Sequence, residues 1–105
     1  MNTLDDLMGF LLNQLRVSQR EATAVMEVAA KTIALKYEAE LYKVFGEEDI
    51  KKANELDEKE ATKYLHERYE VLAGEPSEKL LEEITNVVVS EIMKKPRDYF
   101  NFASN

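Results

Sequence analysis

The chain has no cysteine and no tryptophan, and only three glycines, two prolines and one histidine in 105 residues. Each scarcity closes off a class of chemistry. Without cysteine there are no disulfides, no thiolate nucleophile and no cysteine-ligated zinc, and the composition fits a reducing compartment such as the cytoplasm. The isolated glycines Gly9, Gly46 and Gly74 cannot make a phosphate-cradling loop. His66 stands alone: a zinc-protease helix needs a second histidine where Glu70 lies, and the E-x-x-H spacing of a di-iron bundle needs an acid where Lys63 lies. No uncharged apolar run approaches the roughly 18 residues that span a bilayer. The first residues, Met1 to Asp6, carry no positive region and no small-residue cleavage site, so no signal peptide is predicted.

The remaining polar candidates have local explanations. Neighbouring acids such as Glu82 and Glu83, or Glu47 and Glu48, point about 100° apart on a helix and do not converge on one ion. Ser18 and Ser77 sit where helix caps are needed, and neither has a histidine and an acid at a recognisable motif spacing. The reading is therefore not an enzyme, with no cofactor and no metal site.

What the chain does have is helix signals. Hydrophobic residues make up 45% and charged residues 33% of the sequence, a balance that excludes both a disordered segment and a membrane protein and points to a single soluble domain. Ser18 to Glu21 fit a capping box, with Val17 placed for a hydrophobic staple, and Gly46 stands where a left-handed residue would close the same helix. Asn2 or Thr3 can cap a first helix, and the acids Glu47, Glu48 and Asp49 suit the first turn of a third. Asp57 with Glu60 starts a fourth, which Gly74 ends, and Pro76 and Ser77 begin a fifth, which Pro96 ends. Ile84 to Val89 is rich in β-branched residues, but no second strand candidate exists to pair with it. The fold class is all-α: a small bundle of four to five helices about a long central one, completed by dimerisation. The predicted helices cover about 3–16, 18–45, 48–55, 58–73 and 77–95, with a tail over 96–105.

The central helix carries two apolar stripes. Ala22, Met26, Ala29, Ile33, Tyr37, Leu41 and Val44 form one, and Val25, Val28, Thr32, Leu35, Ala39 and Tyr42 form the other. They lie roughly 140° apart at about 100° per residue, so neighbours are expected on two sides. A compact chain of this size has a radius of gyration of about 13 Å, hence a diameter of roughly 33 Å. A helix over 18–45 would be roughly 40 Å long. The helix must therefore bend, or the molecule must be elongated, or a second chain must cover the overhang; the last is the expectation adopted. The interface candidates are Val25, Val28, Leu35, Ala39 and Tyr42, together with the aromatic tail residues Tyr99, Phe100 and Phe102. Three aromatics after a helix-ending proline need a docking site, for which the chain's own core is the first choice and a second subunit the other.

Charge narrows the partners. Of the net −7, residues 1–45 contribute −1 and residues 46–95 contribute −6, through fourteen acids against eight bases. Such a field disfavours direct binding to nucleic acid and electrostatic docking on membranes. The function expected is a non-catalytic helical interaction module, with a second copy of itself as its first partner. The alternative is an acidic inhibitor or decoy that occupies the basic, nucleic-acid-binding surface of a target protein.

Overall fold

Local side-chain chemistry sets most of the helix starts in the computed structural model, which describes residues 2–103 and their side chains through Phe100. Thr3 accepts the amide of Asp6 at 3.2 Å while the Asp6 carboxylate accepts the amide of Thr3 at 2.9 Å, and this reciprocal pair opens α1, Leu4–Gly9. Thr3 is thus the cap, and Asn2 is used differently. Its amide donates to Asn86 Oδ1 and its Nδ2 to Ser90 Oγ, both at 2.8 Å, so it pins the start of α1 onto a helix more than 80 residues away.

α1 runs on as a π-helical turn, Phe10–Gln14, in which the amide of Leu15 reaches back five residues to Phe10. Arg16 then reverses the chain with φ 54°, the only non-glycine residue at positive φ among the described residues. Ser18 caps α2, Gln19–Tyr42, by accepting the amide of Glu21. The Glu21 carboxylate accepts from the Ser18 hydroxyl rather than from its amide, so only half of the expected box forms.

Two boundaries differ from the sequence expectation for physical reasons. α2 stops at Tyr42, and Gly46 is not its left-handed terminator: with φ −87° and ψ 174° it is the extended N-cap of α3, Glu47–Asn54. Asp49 accepts the Gly46 amide at 3.2 Å, which rewards the cap position. The expected tail is also helical. Pro96 ends α5, Ser77–Lys94, and at once begins α6, Pro96–Ala103, because a proline lacking its amide is suited to a first helical turn. α4, Glu58–Ala73, starts at the Asp57 cap and ends at Gly74, whose φ of 74° is the left-handed terminator the sequence indicated. The architecture is all-α, with six α-helices and no strand among the described residues.

The main core lies between α1 with its π turn, α2 and α5. Leu7, Leu11, Ala22, Val25, Ala29, Ile33, Val88, Val89 and Ile92 are buried together, and Tyr99 and Phe100 of α6 pack against them. Leu41, Ala53, Leu65 and Tyr69 are buried outside that cluster, where the α3–α4 hairpin meets the far end of α2. Two apolar clusters spread along α2 make the molecule long, 48 × 27 × 19 Å with a radius of gyration of 16.6 Å. Of the three outcomes posed by the length of α2, elongation is the one the chain adopts. No helix among the described residues is long and apolar enough to cross a membrane.

Candidate interaction surface

The residues that line α2 do not keep the two-stripe division. Ala22, Val25, Ala29 and Ile33, taken from both stripes, form a single buried line. Val25 is 0% exposed within its own chain, so as an interface candidate it is corrected: it is core. Val28 and Thr32 are half-buried, and Thr32 Oγ1 donates to the Val28 carbonyl at 2.8 Å within the helix. Beyond them the character changes. Leu35 is 69% exposed, and Ala39 and Tyr42 are exposed as well. Tyr42 packs edge-on against Phe45, with ring centroids 5.8 Å apart.

Next to this open stretch α2 and α5 enclose a groove of about 430 Å³ lined by Lys36, Ala39 and Glu40 from α2 and by Leu80, Glu83, Ile84 and Val87 from α5. Its shape follows from sequence. One turn beyond Ile33 the core-facing phase of α2 falls on Lys36 and then Glu40, which cannot be buried unpaired, so the two helices stay unsealed there. On α5 the stripe Leu80, Ile84 and Val87, at steps of four and three, forms the apolar wall, and Val87 is 49% exposed. Glu40 is held by Lys43 at 2.7 Å, whereas no ion pair among the described residues engages Lys36 or Glu83. The interface candidates named from the sequence lay on the central helix and in the tail, and none lay on α5. The signal was there: Leu80, Ile84 and Val87 lie to one side of the buried line Val88, Val89 and Ile92.

The tail candidates separate. Tyr99 and Phe100 are half-buried against the chain's own core, the first of the two docking sites considered, and the side chain of Phe102 lies outside the described residues.

Two polar clusters hold the α3–α4 hairpin. Asp49 accepts from Tyr64 Oη at 3.1 Å and from Arg68 Nε at 2.9 Å besides the Gly46 amide. Burial opposes its ionisation, yet the three donors outweigh that and hold its carboxyl below the usual carboxylate range. Burial and the neighbouring Asp49 together raise the Tyr64 hydroxyl. Burial first, and then the field of Glu75 and Glu83, raise that of Tyr69. The second cluster joins three helices: Ser77 Oγ lies 2.9 Å from His66 Nδ1, with Tyr37 Oη 3.5 Å from the same nitrogen. Folding thus brings a serine and a histidine together that no motif spacing announced. Ser77 is 1% exposed, so its hydroxyl is sealed from any substrate and serves to tie α4 to the start of α5.

Set against known proteins, the chain has no significant match to a family model, to a curated protein or to a solved structure.

Proposed function

We propose that this chain is a non-catalytic helical interaction module that works as a homodimer in the cytoplasm. The observation that carries the reading is the open apolar groove between α2 and α5, flanked by a leucine exposed over 69% of its surface. A grouped apolar face on a small domain marks a contact surface more often than scattered exposed side chains do. Dimerisation would also supply the apolar burial that a domain of this length lacks on its own. Light scattering coupled to size exclusion tests it: a particle of twice the 12.1 kDa chain mass is expected, and a monomer at every concentration up to the millimolar range contradicts it.

One observation favours a second reading, the acidic inhibitor of a basic surface. Of the fourteen acids between residues 46 and 95, all but Asp49 are exposed. Capture of a basic partner by this surface would weaken steeply as salt shortens the screening length from roughly 10 Å at 0.1 M to about 3 Å at 1 M. Binding that ignores salt over that range would remove this reading.

A further inference from the structure

We infer that the occupant of the α2–α5 groove is the same groove of a second copy, turned about a two-fold axis that runs along it, so that Lys36 of each chain meets Glu83 of the other. The inference rests on the homodimer reading above and specifies its geometry. Lys36 and Glu83 stand on opposite walls of one groove, one from α2 and one from α5, and neither has an ion-pair partner within the described chain. In a two-fold interface each contact occurs twice with the partners exchanged. An axis along the groove lays α2 of one copy over α5 of the other, which sets each lysine opposite a glutamate. An axis across the groove lays α2 over α2 and loses that pairing. The apolar residues follow the same geometry: Ala39 meets the wall formed by Leu80, Ile84 and Val87, and exposed Leu35 lies on the flank that the second copy covers.

The product is a four-helix bundle made of two α2–α5 pairs, the layer arrangement in which such helices bury their remaining faces. A basic helix from another protein would satisfy Glu83 but would leave Lys36 facing like charge. The pairing of one free charge of each sign is self-complementary, and this selects a second copy.

The test uses two charge reversals at exposed or rim positions of the full chain. K36E makes both members of the cross-pair acidic, and E83K makes both basic. Each variant alone is expected to have a dimer dissociation constant raised about tenfold, since two symmetric attractions become two repulsions. An equimolar mixture of the two variants is expected to recover wild-type affinity as a heterodimer, read by sedimentation velocity with one variant fluorescently labelled. Circular dichroism that matches wild type checks that the fold is intact. A wild-type dimer that both reversals leave unchanged, or a mixture that fails to associate, overturns this geometry while the homodimer reading stands. A monomeric wild type overturns both.

Discussion

Arg16 and Asp49 show how single residues carry strain and pH dependence in this chain. Arg16 occupies the left-handed region, where a Cβ costs roughly 1–2 kcal/mol and glycine costs little. Arg16→Gly is therefore expected to stabilise the protein by about 0.5–1 kcal/mol in urea denaturation, against the usual loss on introducing glycine. A destabilised variant would mean that the Arg16 side chain holds contacts that outweigh the strain. Asp49 sets part of the acid limit. Its carboxyl is held below the ordinary range in the folded chain, so its contribution to stability is full above the unfolded value near 3.9 and is lost as pH falls through the folded value. Asp6 behaves likewise, lowered first by the Thr3 amide and then by the Thr3 hydroxyl. Asp49→Asn should destabilise the protein at pH 7, and the gap to wild type should close as pH falls below the ordinary carboxylate range and the native carboxyl protonates. Denaturation curves for both proteins across that range check the sign; a gap that widens toward acid contradicts it.

The helix scale shows what spacing and caps can and cannot convey. Ser18, Asp57 and Gly74 act as the sequence indicates, because capping is a contact between residues a few positions apart and is written locally. Gly46 reads in the sequence as the end of the central helix, but a glycine between two helices can equally begin the next, and the Asp49 carboxylate three residues later makes it the N-cap of α3. The π turn over Phe10–Gln14 and the Arg16 reversal leave no mark in propensity or periodicity. Nor could apolar spacing on α2 say which residues find a neighbour. Val25 and Leu35 belong to one stripe by count, yet the first is sealed in the main core and the second is open, beside the stretch where Lys36 and Glu40 replace apolar residues on the core-facing phase and the two helices stay apart. Leu35→Glu is accordingly expected to keep its helical circular dichroism and melting temperature while it loses association, measured by light scattering. A variant that fails to fold would place Leu35 in a core. On α6 the opposite separation holds: Tyr99→Ala, which trims packing against the main core, should cost about 1–3 kcal/mol of stability and leave the oligomeric state unchanged.

At the scale of the whole molecule, length and charge belong together. The chain reaches 48 Å because its two apolar clusters lie at different ends of α2, joined by the His66–Ser77 contact and the short α3–α4 hairpin. The groove lies on the same helix pair, beside the stretch where the first cluster ends. An elongated domain of this size has more surface to cover than a compact one, and the α2–α5 face is where we place the cover. The most direct measurement follows the methyl groups of that face by NMR in the presence of a soluble paramagnetic agent. Leu35, Ile84 and Val87 are expected to be protected, with protection that falls as the protein is diluted through its dissociation constant, while Val71, 73% exposed on α4, is attenuated throughout. Attenuation of Leu35 and Val87 as strong as that of Val71 at every concentration would contradict the account.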